Sequence, residues 1–184
     1  MNSLAGQFLI AAPQLHDPNF RRSVVLLLKH DVDGALGLVI NRQAPLPFHA
    51  VWQKLSQDPC PVEAPLFIGG PCGGPLMALH NEDDLGDLQA PEGVYFTAEI
   101  QQIRDLLARE ECNYRLFGGY AGWGPEQLEK EIGDGGWLLV PADSDSIFGP
   151  HEELWEKLML RLRETHRLSD LLHIKHVPPE PWMN

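Results

Sequence analysis

The strongest constraint on this chain is a pair of apolar runs, Ser23–His30 (SVVLLLKH) and Ala35–Asn41 (ALGLVIN), closed around Asp31, Asp33 and Gly34. Two β-rich segments joined by a four-residue Asp/Gly loop predict a hairpin, because these turn residues accept the backbone angles that reverse a chain. Val24–Leu28 is apolar at every position and lacks the alternation of a strand with one wet face. Such a strand has to be covered on both faces and lie inside its sheet. That requires layers above and below the sheet, which 184 residues can supply as one domain.

Local patterns place the other elements. Gln7–Ala11 reads as a short strand ended by Pro13, and Phe48–Leu55 as a short helix among prolines. Leu66–Ile68 and Pro75–His80 are strands on either side of a glycine-rich turn, and Val94–Phe96 is another. Thr97 can cap a helix reaching Arg109, with Ile100, Ile103 and Leu107 as its inner stripe. Tyr114–Phe117 and Trp137–Pro141 are strands, and between them Gly124-Pro125 opens a helix through Ile132. Pro150 starts a last helix whose stripe is Leu154, Trp155, Leu158, Met159 and Leu162. Many strands with the helices late in the chain predict an α+β fold around a mixed sheet.

Charge and cysteine usage narrow the function. Fourteen basic against 26 acidic residues give a net charge of −12, which argues against nucleic acid as a partner. Three cysteines, none in a CxxC, suit a reducing cytosol better than a disulfide framework. No apolar run is long enough to span a membrane, and the first residues lack the basic start of a signal peptide. The expected location is cytoplasmic, with no membrane partner.

Several segments invite a chemical reading, each beside a structural one. GGPCGGP at 69–75 lacks the GK[ST] of a phosphate loop and the GxGxxG of a dinucleotide site. It is a turn, or a turn that also walls a pocket. In GGYAGWGPEQLEKE at 118–131, a strand leads through glycines into a helix start, but Glu126, Glu129 and Glu131 would repel an anion there. Trp123 in that segment either packs or recognises a ligand. Asn41-Arg42 at a strand end is a fork for a carboxylate or phosphate, or a tie to a loop. Cys72 with a histidine such as His80 offers a nucleophile, although no GxSxG or known cysteine-enzyme pattern accompanies it. His173 and His176 are spaced for one helix face, but a solvated face explains them better than a metal site does, and no cofactor or metal signature is present.

The ordered blocks together resemble the AlgH/YqgE family of bacterial proteins. They are GQFLIAAPQLHDPNFRRSVVLLLKH at 6–30, GALGLVINR at 34–42, FIGGP at 67–71, YAGWGPEQLEKEI at 120–132 and WLLVPAD at 137–143. The resemblance implies a mixed, partly barrel-like sheet with flanking helices in a cytosolic protein of a group often described as candidate transcriptional regulators. It implies no established activity, cofactor or catalytic residue. The family's recurrent positions fall on Pro13, Asp17, Phe20, Asn41, Gly69–Pro71, Trp123, Gln127 and Trp137, among others. The tail departs from the family's ending, which divides the chain into a domain at 1–164 and a variable tail at 165–184. The function expected is a non-enzymatic module with a small ligand or protein partner and an indirect regulatory role. Its candidate pocket is Asn41, Arg42, Gly69, Gly70, Pro71 and Trp123. The alternatives are direct DNA binding or, more remotely, hydrolysis.

Overall fold

The hairpin lies inside the sheet, as its apolar strand requires. In the computed structural model, which describes residues 3–174 with side chains through 165, β2 (Val24–Asp31) pairs antiparallel with β3 (Gly34–Val39). Asp31 and Gly34 extend the ladder, so only Val32 and Asp33 form the tip rather than four residues. The Asp33 N–H donates to Asp31 Oδ1 at 2.9 Å, and Gly34 adopts a φ of +127°, which a side chain would resist.

Around the hairpin are β1 (Gln7–Ala11), β4 (Leu66–Ile68), β5 (Cys72–His80), β6 (Leu88–Gln89), β7 (Tyr95–Thr97), β8 (Tyr114–Trp123) and β9 (Trp137–Pro141). The order across the sheet is β6-β7-β5-β8-β3-β2-β1-β9, with β4 pairing parallel to β8. The fold is therefore α+β, built on one mixed sheet that curls into a half-barrel.

Both faces of β1 and β2 are covered. Phe8, Ile10, Val24, Leu26 and Leu28 point to one face and pack with Ile147 of α4 (Ser144–Phe148) and with Leu154 and Leu158 of α5 (Leu154–Ile174). Leu9, Ala11, Val25 and Leu27 point to the other face and meet Trp123, Trp137 and Leu128 of α3 (Gln127–Gly133). A third cluster seats α1 (Phe48–Leu55) and α2 (Ile100–Leu107) against β4, β5 and the first half of β8. Each fully buried Leu or Phe contributes about 1.5–3 kcal/mol, so the two-sided strands hold much of the stability.

β8 differs most from the sequence expectation. It continues for 10 residues to Trp123, through glycines that read as a loop. The cause is a fork in the sheet. β3 pairs with β8 only over Ala35–Gly37, and β4 fills the widening gap between β8 and the chain beyond β3. Gly69, directly after β4, bonds to both sides, its N–H donating to the Gly118 carbonyl at 3.0 Å and its carbonyl accepting the Val39 N–H at 2.7 Å. At the branch the backbones of residues 69–70 and 119–120 touch. A Cβ on Gly69 would collide with the Gly119 carbonyl, and one on Gly70 with the Tyr120 peptide. Glycine serves here to let strands approach.

Arg115 of β8 closes the other side of the fork. Its guanidinium, 6% exposed, donates to the carbonyls of Ile40 and Gly149, both at 2.7 Å, and lies 4.4 Å from the centre of the Phe67 ring. Burial lowers its pKa to about 10. α5 begins at Leu154 rather than Pro150 and runs unbroken across residue 165, where the tail was expected to start. His173 is on that helix, whereas His176 and the PPEPW segment lie outside the described residues. No helix among the described residues is long and apolar enough to cross a membrane.

Two outcomes follow from this packing. Gly69→Ala should lose about 2 kcal/mol or more through overpacking, whereas Gly73→Ala, with open space around its Cβ, should stay near wild type in urea midpoint. His80 is fully buried, its Nε2 has no partner among the described residues, and burial pushes its pKa below the ordinary 6.5. The unfolded chain therefore binds the proton first. Stability from neutral His80 is intact above pH 6.5 and declines as the pH falls below it. Urea midpoints measured at several pH values should show this extra acid sensitivity in the wild type and lose it in His80→Gln.

Candidate functional site

A cleft of about 400 Å³ opens where the β1–β2 loop faces the corner between α3 and β9. Its floor is aromatic. Phe20 of the loop stacks on Trp123 at 5.9 Å between ring centres and forms a T-shaped pair with Trp137 at 5.3 Å. The two indoles cross at 80° with centres 5.9 Å apart. Both are nearly buried, while Phe20 is half-buried and Pro71 exposed along the wall.

One carboxylate organises this floor. Glu131 Oε2 accepts the Trp123 indole N–H at 3.0 Å and the Trp137 indole N–H at 2.8 Å. Its Oε1 accepts from Gln127 Nε2 at 2.9 Å, and Gln127 Oε1 in turn accepts the Gly124 N–H at 3.0 Å. Gln127 and Glu131 are four apart on α3, so they share a helix face. The far side of α3 is tied to the hairpin by His30. The Leu4 N–H donates to His30 Nδ1 at 3.0 Å, which leaves Nε2 to donate to Glu129 at 2.8 Å. The Glu129 carboxyl is held below its ordinary range by its own backbone N–H and by His30.

The β1–β2 loop carries Gln14, Leu15, Asp17 and Phe20 to the cleft. Asn41 and Arg42 fasten it. Asn41 accepts the Val24 N–H at 2.8 Å and donates to the Arg22 carbonyl at 3.0 Å, where Arg22 has a φ of +57°. Arg42 donates to the carbonyls of Asn19 at 2.6 Å and Arg21 at 3.3 Å. The amide–guanidinium pair thus faces backbone oxygens of this same chain.

Of the six residues singled out from sequence, Pro71 and Trp123 line the cleft. Gly69 and Gly70 sit at the strand fork that leads into Pro71. Asn41 and Arg42 do not line it and act through the loop. Phe20, Gln127, Glu131 and Trp137 were not in that candidate pocket, although the Gln127–Glu131 spacing on one helix face was a usable signal. Cys72 and His80 are on one strand, eight residues apart, which at strand rise is roughly 25 Å, too far for a nucleophile and its base.

The cleft belongs to a recognisable architecture. The profile of a family described as AlgH-like matches residues 8–167. A UPF0301 protein of Streptomyces avermitilis is 35% identical over 208 residues, covering 100% of this chain and 97% of its own length. One from Ruegeria pomeroyi is 40% identical over 163 residues, covering 83% and 88%. The solution structure of the AlgH protein from Pseudomonas aeruginosa superposes with a TM-score of 0.70 at 29% identity, over 96% of this chain and 91% of that one. A Corynebacterium diphtheriae protein shares the fold, with a TM-score of 0.70 at 23% identity, over 88% of each chain.

Glu131→Leu orphans two nearly buried indole N–H groups and should cost about 2–4 kcal/mol in urea denaturation. Asn41→Ala removes two ties to loop backbone and should cost about 1–3 kcal/mol. Its near-UV aromatic circular dichroism should also weaken as Phe20 loosens from the indoles.

Proposed function

The chain belongs to the AlgH-like family, and on that premise we propose that it is a non-enzymatic binding module whose ligand occupies the aromatic cleft. The ligand is a small molecule or a side chain of a protein partner, and any regulatory effect is exerted through that binding. The observation that carries this reading is the Glu131 carboxylate holding two indoles and Gln127 in fixed positions around an open volume. A cleft near 400 Å³ falls in the size range of ligand sites, with apolar walls and a few placed polar groups. Its groups are already bonded in place, so little ordering cost falls on binding. Four separate stretches of sequence supply its walls, and each is held by backbone or side-chain hydrogen bonds rather than by the ligand.

A thermal-shift screen of nucleotides, sugar phosphates, carboxylic acids and amines tests this. A ligand at about 100 times its Kd adds about 2.7 kcal/mol, a rise on the order of 5–10 °C for a domain of this size. Hits should lose most of their shift in Phe20→Ala while that variant stays folded. Hits that keep their affinity in Phe20→Ala would place binding elsewhere.

A further inference from the structure

The lining of the cleft carries charge of one sign. Asp17, Glu131 and Asp134 contribute carboxylates, and among the described residues no Lys, Arg or His lines it. None of the three forms an ion pair among the described residues. Two of the cations near the loop are engaged elsewhere. Arg22 pairs with Glu156 and lies 5.0 Å from the centre of the Trp155 ring, and Arg42 is committed to loop carbonyls. Glu131 accepts three hydrogen bonds, all from neutral donors, so its negative charge is bonded but uncompensated. A carboxylate has about four lone-pair positions, which leaves one for a further donor.

Resting on the reading of this cleft as a binding site, we propose that its ligand presents a delocalised cation of the guanidinium or amidinium type. The chemistry has three parts. A planar cation is weakly hydrated and can lie against an aromatic ring, here the part of half-buried Phe20 that lines the cleft. Its several N–H donors match carboxylate oxygens. An aliphatic stem behind it would pack on Leu15 and Pro71, the apolar parts of the wall. An anion would meet three carboxylates and a chain of net charge −12. A neutral ligand would leave those charges as they are.

The indole N–H resonances of Trp123 and Trp137 are built-in reporters, because both donate to Glu131. They can be followed in ¹⁵N–¹H spectra of the whole protein while size-matched probes are titrated at low salt. The probes are agmatine, a capped arginine-containing tripeptide, the urea analogue in which the guanidinium becomes a neutral ureido group, and a carboxylate of the same length. The proposal predicts that agmatine or the arginine peptide shifts both resonances. The tighter of the two assigns the source as a free small cation or a protein side chain. Affinity should fall about fivefold in Asp134→Asn, and should weaken as salt is added. Equal or tighter binding of the ureido or carboxylate probe in the cleft overturns the charge assignment and leaves the binding role standing. Silence of both resonances toward every probe overturns both.

Discussion

A single carboxylate oxygen that accepts two indole N–H bonds sets the shape of the aromatic cleft. Glu131 is the point where α3, the end of β8 and the start of β9 converge, three segments the sheet alone would leave at separate places. Each indole is nearly buried, so an unpaired N–H would be costly, and the Glu131 carboxylate removes that cost for both at once. Phe20 then packs against a surface that is already fixed. The carboxylate also stands beside the cleft with no ion-pair partner among the described residues, so the bond that builds the floor also gives the floor its polarity.

The strand fork supplies the other wall. β8 can carry β3 at one end and β4 beside it only because residues 69, 70 and 119 bring no side chains to the crossing. Gly119 in addition has a φ of +77° and would press a Cβ to 2.7 Å from the Cys72 carbonyl. This close approach delivers Pro71 to the edge of the cleft beside Gly122 and Trp123. The glycine-rich segments are thus linked to the cleft through backbone geometry, and the site inherits its rigidity from the centre of the sheet.

Much of the fold was legible in the sequence wherever a pattern was local. The bounds Gln7–Ala11, Phe48–Leu55, Leu66–Ile68 and Trp137–Pro141 agree with the structure, because prolines, glycines and apolar runs punctuate them. The two-sided burial of Val24–Leu28 was readable from its missing alternation. The continuation of β8 was not, since glycine in a strand signals a loop unless another backbone is known to lie against it. The helix at Ser144–Phe148 was also missed, although Asp143 caps it by accepting from Ser146 at 2.7 Å. Of the residues lining the cleft, Trp123 and Pro71 stand out in the sequence by their glycine neighbours. In the sequence Glu131 reads only as a charge that repels anions, because its two indole partners come from other elements. Asn41 and Arg42 have the right chemistry for recognition, and what they hold is the loop's own carbonyls.

The most direct measurement of the central claim is a crystallographic fragment soak of the whole protein with a library spanning cations, neutral compounds and anions. Fragments should concentrate in the cleft between Phe20, Pro71 and the α3–β9 corner, with cationic ones facing Asp17, Glu131 and Asp134. Fragments gathered instead in another groove, such as the one beside Pro45 and Glu63, with this cleft empty at the same occupancy threshold, would contradict the account.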